Sequence, residues 1–429
     1  MSPKGLRVYG LLAALCRLAK PDGGIDQTPR LASQSIPAAT PRIVVLQEPL
    51  EPMTHLDTHE KLKILSADSQ YDLACACGTS DHDRRHRGLE GRWLYPVTLA
   101  NGGQSIMLKT LMSNACRNDC KYCPLRSQTN IRRCSLAPEE TAGIFMNYLR
   151  RMTLYGLFLS SGVTNSPDHT MAQLNETAWL LRRKHDYRGY IHLKVLPGAS
   201  DAAIEETLSL ASAVSINIET PGAGHFAKLS QRKDYLADII RPLKLISRLT
   251  ARGERHARVR TTTQFIVGAS DEKDSEIVNY LFGLYNRLHL NRVYFSAYQP
   301  GLGTSDIPGE KQSLQNPGSR LMREHRLYQV DFLVRQYGFK AADFHFDQDN
   351  NLPLDKDPKQ IWAERHPGFF PINVNRADRE TLLRVPGIGP RTVKTILQRR
   401  QLHKLGDTSD LGLKGKRRKQ AEPFICFAS

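Results

Sequence analysis

Three shortages bound what this chain of 429 residues can be. It has no apolar run approaching the ~18 residues that a bilayer-spanning helix needs, so no membrane span is expected. Cysteine is scarce, at eight, which excludes the dense disulfide framework of small secreted domains. Acidic residues are outnumbered, 43 Asp/Glu against 60 Lys/Arg, giving a net charge of +17 and a pI near 9.6. A surplus of that size favours negatively charged partners, of which nucleic acid and anionic membrane are the commonest. The apolar stretch Leu6 to Leu18 is broken by Arg17 and lacks a small-residue cleavage pattern, so it reads poorly as a secretory leader. A cytoplasmic protein is expected.

What is present is unevenly distributed. Residues 1–55 are rich in Pro, Ala, Gln and Thr without periodicity and read as a disordered extension, with Met53 as an alternative start. A helix is expected over Glu60–Ser69. Between Ile106 and Tyr298, short apolar runs alternate with amphipathic stretches. The strands expected are 106–111, 156–160, 190–195, 213–218, 263–267 and 292–296, with helices at 138–153, 171–184 and 274–288 between some of them. Repeated strand–helix units of this length imply a parallel sheet curling into a partial (β/α)6 barrel of the TIM type. In such sheets the chemistry collects at the strand C-terminal ends. The expected division is 56–300 for the barrel with its N-terminal helix, 301–370 for a helical connector with a helix near 319–337, and 371–429 for a small all-α unit.

Three of the eight cysteines fall within eight residues, Cys116-Arg-Asn-Asp-Cys120-Lys-Tyr-Cys123, directly after the first parallel strand. One tight loop with this spacing can direct three thiolates at one 4Fe–4S cluster and leave its fourth iron open. An open iron can chelate the amino and carboxylate groups of S-adenosylmethionine and pass it an electron, giving a 5′-deoxyadenosyl radical. Tyr122 is placed to lie beside the adenine. Two other readings fit the same cysteines. One is a structural zinc site with Cys134, or Cys75 and Cys77, completing four ligands. The other is a closed, electron-storing cluster. Cys75 and Tyr298 are candidate hydrogen donors near the rim.

The last 59 residues hold thirteen Lys/Arg against five Asp/Glu, +8 of the total. Within them, Ala377–Arg384 and Arg391–Arg400 read as helices joined by Val385-Pro-Gly-Ile-Gly-Pro390. Two glycines permit a tight turn whose N–H groups, with the second helix's N-terminus, can take a phosphate without reading a base. This resembles the helix-hairpin-helix module that binds the DNA backbone, and Gly387, Gly389, Thr392 and Lys394 match its phosphate-contacting positions. A hairpin that serves only protein packing is the alternative.

Taken together, residues 62–427 resemble the radical S-adenosylmethionine proteins assigned to DNA modification or repair. The resemblance rests on Lys63–Asp72, Asn114–Cys123, Gly156–Gly162 with Ser166-Pro-Asp168, Gly189–Lys194 with Pro197–Ser200, Ile266–Ser270, Tyr294–Tyr298 and the closing hairpin. It implies a barrel of the radical S-adenosylmethionine type, a 4Fe–4S cluster on Cys116, Cys120 and Cys123, and S-adenosylmethionine as cofactor. An external reductant such as flavodoxin or ferredoxin is implied as well. Ser160, Ser161 and Gly162 fall where that family's wider group holds the methionine amino end, although the acidic residue often found there is missing. Asn217 and Glu219 fall at ribose-contacting positions, and Ile266 and Gly268 in the segment that packs on adenine. The implied activity is radical repair or modification of DNA. Its alternatives are an RNA-modifying enzyme of the same class and a DNA-binding protein whose cluster is structural.

Overall fold

A computed structural model of the chain describes residues 56–72, 93–98, 103–311 and 317–427. The expected extension 1–55, the alternative start at Met53, and Cys75 with Cys77 lie outside the described residues. Seven strands form one sheet in sequential order: β1 (Leu94–Thr98), β2 (Gln104–Leu111), β3 (Leu154–Ser160), β4 (Tyr190–Lys194), β5 (Ala213–Ser215), β6 (Arg260–Val267) and β7 (Arg292–Ala297). β1 runs antiparallel to β2, and β2 to β7 are all parallel. Sequential parallel order with helices in the connections winds the sheet in one sense. The result is the expected partial (β/α)6 barrel.

Alternation along the strands sorts side chains onto two faces. Leu157 and Leu159, Ile191 and Leu193, and Val214 and Ile216 are all fully buried and point at the surrounding helices. Those helices answer with Phe145 from Pro138–Arg151, Met171 and Leu174 from Pro167–Trp179, Ile204 and Leu208 from Asp201–Leu210, and Leu243 and Ile246 from Arg241–Leu249. Each such side chain removed from water contributes on the order of 1.5–3 kcal/mol. Helix starts follow local chemistry. Asp57, Ser166 and Ser200 accept hydrogen bonds from the first turns of their helices, and proline opens two of those named above.

The last strand would expose an open edge. A 21-residue helix, Pro317–Tyr337, covers it. Tyr328 Oη bonds both the N–H and the C=O of Phe295, and Glu324 accepts the N–H of Ala297 at 2.7 Å. Beyond Pro358–Arg365 the C-terminal unit has its own core of Val374, Leu382, Val385, Ile388, Val393, Ile396 and Leu405. Expected to be all-α, it also carries one short parallel strand pair, β8 (Ile372–Asn373) with β9 (Ile425–Cys426). Two-residue strands give no periodic signal, and their pairing ties the unit's beginning to its end. No helix among the described residues is long and apolar enough to cross a membrane.

Candidate cluster and cofactor site

The cysteine loop leaves the C-terminal end of β2 and is fixed from three sides. Asn114, fully buried, donates to Asp68 at 2.7 Å and to the Arg132 carbonyl at 2.8 Å, and accepts from Cys134 N–H at 2.8 Å. Arg133 gathers the carbonyls of Asn114, Leu125, Arg126 and Thr129. On the β3 side, Gly162 N–H donates to Ser113 at 2.7 Å, and a Cβ at Gly162 would lie 2.5 Å from the Ala115 oxygen and 3.1 Å from Cys116 Cβ. Only glycine lets the end of β3 approach the loop this closely. On the far side Asp119 accepts from Ser230 Oγ at 2.6 Å and from Gln231 N–H at 2.9 Å, and Lys121 N–H donates to Leu229 at 2.8 Å. Burial alone would raise the Asp119 carboxyl; these hydrogen bonds outweigh it and hold the group below its ordinary range.

So fixed, Cys116, Cys120 and Cys123 share one electrostatic neighbourhood. Burial pushes the Cys120 thiol up, while Lys233, within hydrogen-bonding reach of it, pulls down, and Cys116 adds to the rise. Cys123 is pushed up by burial and then by its neighbours Cys120 and Cys116. Among the described residues no three His, Cys, Asp or Glu side chains converge closely enough to chelate a single metal ion. Three soft thiols on one loop are donors of the kind that ligate iron–sulfur clusters. Cys134 packs with Leu65, Leu111, Leu125 and Leu136, a group that Cys123 also packs against, and its charged neighbours are Asp68, Lys61 and Arg132.

Above the thiols, Tyr122 packs against a small apolar group of Leu229, Ile266, Ala269, Tyr298 and Ile307. Burial, and then the carboxylate of Glu219 beside it, raises the Tyr122 phenol. Glu219 lies beyond β5 with φ +63°, donates its N–H to Gln264 at 3.0 Å, and receives Ile266 N–H at 2.9 Å. Asn217 Nδ2 stands 3.5 Å from its carboxylate. For Lys233, burial would lower the ammonium, but Cys120 and Glu219 together raise it. Lys233 thus joins the thiols to Glu219.

The structure accordingly brings Cys116, Cys120, Cys123, Tyr122, Asn217, Glu219 and Ile266 to one end of the sheet, with Gly162 against Cys116. Ser160 and Ser161 are buried beside them, Ser160 opposite Leu111 in the β2–β3 register. Gly268 follows β6 with φ +87° and donates its N–H to Glu272 at 2.6 Å. Tyr298 gives its hydroxyl to Glu310, whose carboxylate also accepts the N–H groups of Gly301 and Gly303. Lys233 was not legible as a site residue, because nothing in local spacing ties it to a cysteine 113 positions earlier.

No family model and no curated protein sequence matches this chain. Solved structures do resemble it. Methylornithine synthase (PylB) aligns at 14% identity over 52% of this chain and 62% of its own, with a TM-score of 0.41. The FeFe-hydrogenase maturase HydG from Carboxydothermus hydrogenoformans aligns at 14% identity over 53% and 51%, with a TM-score of 0.42. The cobalamin-dependent S-adenosylmethionine radical enzyme OxsB aligns at 13% identity over 69% and 45%, with a TM-score of 0.32. The match spans between under half and about three-fifths of the length of these structures.

The second candidate site is the C-terminal hairpin, with helices Arg379–Arg384 and Pro390–Arg399. The first begins two residues later than expected, because Asp378 caps it by accepting Thr381 N–H at 2.7 Å. Gly387 takes φ +77°, and a Cβ there would lie 2.4 Å from the Arg417 carbonyl oxygen; at Gly389 one would meet Tyr337 Oη at 2.9 Å. Thr392 is buried and its hydroxyl accepts from Arg417 at 2.9 Å. Lys394 is exposed. The glycines thus serve close packing under the turn as well as its conformation. They bring the basic helix Gly415–Ala421, with Lys416, Arg417, Arg418 and Lys419, alongside the hairpin.

Beneath the turn lies Lys359, buried, its Nζ 2.6 Å from the Ile388 carbonyl and 4.6 Å from the Tyr337 ring centre. Burial lowers its ammonium to about 7, with Arg384 and Arg417 adding to the drop and Asp357 opposing it. In the unfolded chain this lysine keeps its proton to about 10.5. Between those values the unfolded state binds more protons, so stability rises with pH. Lys359→Met is expected to flatten the rise in Tm between pH 6 and pH 9. A variant whose Tm profile parallels the parent's would show that Lys359 stays charged when folded.

Proposed function

We propose that this chain is a radical S-adenosylmethionine enzyme that acts on nucleic acid, DNA foremost. The observation that carries the first half is the set of three thiols on one braced loop at the C-terminal mouth of a parallel sheet, with a polar and an apolar wall beside them. Cys116, Cys120 and Cys123 would hold a 4Fe–4S cluster and leave one iron open for S-adenosylmethionine. When bound, the two together supply one-electron cleavage of a sulfonium bond and radical hydrogen abstraction. This chain's residues do the rest. Lys233 offsets the negative charge that collects at the thiolates. Tyr122 and Ile266 present an apolar wall to the adenine and keep water away, Asn217 and Glu219 offer polar atoms to the ribose, and Ser160 to Gly162 border the methionine end.

The nucleic-acid half rests on the C-terminal unit. Arg391, Lys394, Lys414, Lys416, Arg417, Arg418 and Lys419 are exposed around the hairpin and its neighbouring helix, a basic surface suited to phosphates without base reading. Electrons would come from an external donor of the flavodoxin or ferredoxin kind. The test is anaerobic reconstitution with iron and sulfide, then dithionite and S-adenosylmethionine, with 5′-deoxyadenosine measured in the presence of DNA, RNA or neither. Formation accelerated by DNA is the expected result. Acceleration by RNA alone would move the substrate to RNA, and a fully loaded cluster that forms no 5′-deoxyadenosine would make the cluster structural.

A further inference from the structure

Opposite the cysteine loop, the other rim of the barrel is strongly basic, and neither the cofactor site nor the hairpin uses it. In a parallel sheet each helix returns to the next strand at that strand's N-terminal end, the end away from the thiols. The returns are residues 152–153 before β3, 180–189 before β4, 211–212 before β5, 250–259 before β6 and 287–291 before β7. Sheet pairing sets them side by side in that order, and hydrogen bonds join them to one another and to the strand starts. Arg182 donates to Ser212 Oγ at 3.1 Å, Arg260 N–H to the Ser212 carbonyl at 3.1 Å, and Asn291 N–H to the Thr261 carbonyl at 2.9 Å.

With Arg150 and Arg151, which end the helix before β3, these returns hold ten Lys/Arg against two Asp/Glu. That surplus of eight equals the surplus of the whole 59-residue C-terminal unit. Two of the ten are engaged within the protein. Arg182 also donates to the carbonyls of Leu210, Tyr187 and Gly189, and Arg188 pairs with Asp186. The other eight are exposed, foremost Arg183 and Lys184 before β4 and Arg252, Arg255 and Arg258 before β6. None of the eight has a hydrogen-bond or ion-pair partner among the described residues.

From β3 to β7 the rim runs across four sheet spacings, about 19 Å. Like charges gathered over that length without counter-charges repel one another, and a polyanion relieves the repulsion. All but one of the eight are arginine, whose planar fork takes two phosphate oxygens at once. Trp179 stands at the same end. It closes the helix Pro167–Trp179 one turn before Arg183 and is 45% exposed, whereas the chain's other two tryptophans, Trp93 and Trp362, are buried. An exposed indole beside cations offers a stacking surface to an unpaired base.

We infer that this rim is a second nucleic-acid surface, which grips the phosphate backbone on the face opposite the cluster. The inference extends the nucleic-acid reading above and rests on it. A strand held there is anchored away from the reacting atoms, so the rim supplies affinity and leaves the cofactor untouched.

The experiment uses the full chain, reconstituted with iron and sulfide, and a fluorescent single-stranded DNA oligonucleotide whose binding is followed by anisotropy between about 50 and 200 mM salt. One variant carries Arg252→Gln, Arg255→Gln and Arg258→Gln on the rim; another carries Lys394→Gln, Lys416→Gln and Lys419→Gln at the hairpin. Melting temperature and iron content show that both have folded and loaded. The rim variant is expected to bind roughly tenfold more weakly and to flatten the slope of log affinity against log salt by about 2. Emission of the exposed tryptophan should be quenched by the oligonucleotide in the parent and in the hairpin variant, and Trp179→Phe should abolish that quenching. A rim variant with the parent's affinity and slope, beside a hairpin variant that loses both, would overturn the rim and leave the nucleic-acid reading standing. A parent that binds neither DNA nor RNA would overturn that reading and, with it, the occupant assigned here. A rim variant that binds the oligonucleotide normally but no longer binds vesicles of phosphatidylcholine and phosphatidylserine would give this face to a membrane instead.

Discussion

Replacing Cys116, Cys120 or Cys123 singly by Ala is expected to abolish iron loading and 5′-deoxyadenosine formation, whereas Cys134→Ala should spare both. Each of the three thiols has one iron to hold, and a loop that offers only two leaves two irons unligated by protein. Cys134 packs in an apolar group with Leu65 and Leu136, its Sγ 3.9 Å from the Lys61 carbonyl, and is not among the thiols that push one another up. The loop itself should survive the change. Its bracing comes from Asn114, Arg133 and Asp119, none of which bonds to a thiol. Loss of the cluster with Tm little altered would then mark a binding defect and not an unfolded chain. The measurement is iron and sulfide content per chain, visible absorbance and product formation for all four variants side by side. A full iron complement in any of the first three, or its loss in Cys134→Ala, would mean that a different ligand set holds the metal.

The six parallel strands were legible because each is a short run rich in apolar and β-branched residues, even where Lys109, His192 and Gln264 interrupt three of them. β1 was not read. Leu94-Tyr-Pro-Val-Thr98 carries Pro96 at its centre, and a strand tolerates proline there only because β1 is an edge, paired on one side with β2. The cysteine loop was legible because its spacing is local. Its counterparts were not: Lys233, the Ser230 hydroxyl and the Gln231 N–H meet Asp119 and Cys120 only after three further strands and their helices have folded between them. The hairpin's glycines announced a turn. That Gly387 and Gly389 also admit Arg417 and Tyr337 is a tertiary fact, invisible to a reading that runs along the chain.

The largest stability effect is expected at Asp331, in the helix that covers β7. Its carboxylate is fully buried and receives Arg292 at 2.8 Å, Arg335 at 2.7 Å and the hydroxyl of Tyr285, whose oxygen in turn accepts Val293 N–H at 3.0 Å. Burial pushes the carboxyl up to about 6, opposed by Arg292 and Tyr285, so it remains ionised at neutral pH. Arg292 depends on it. Its Nε and Nη2 find no partner among the described residues, leaving the Asp331 contact and the rings of Tyr294, Tyr328 and Phe332 around the guanidinium. Asp331→Ala removes the anion and strands that buried charge, which should cost about 3–5 kcal/mol. Asp331→Asn should cost nearly as much, since the amide keeps the shape without the charge. The double variant Asp331→Leu with Arg292→Met, which removes both charges, should recover much of the loss. Urea unfolding of the parent and three variants at pH 7.5 reads these differences directly. A loss under about 1 kcal/mol for Asp331→Ala, the range of an exposed ion pair, would mean that water already reaches Arg292.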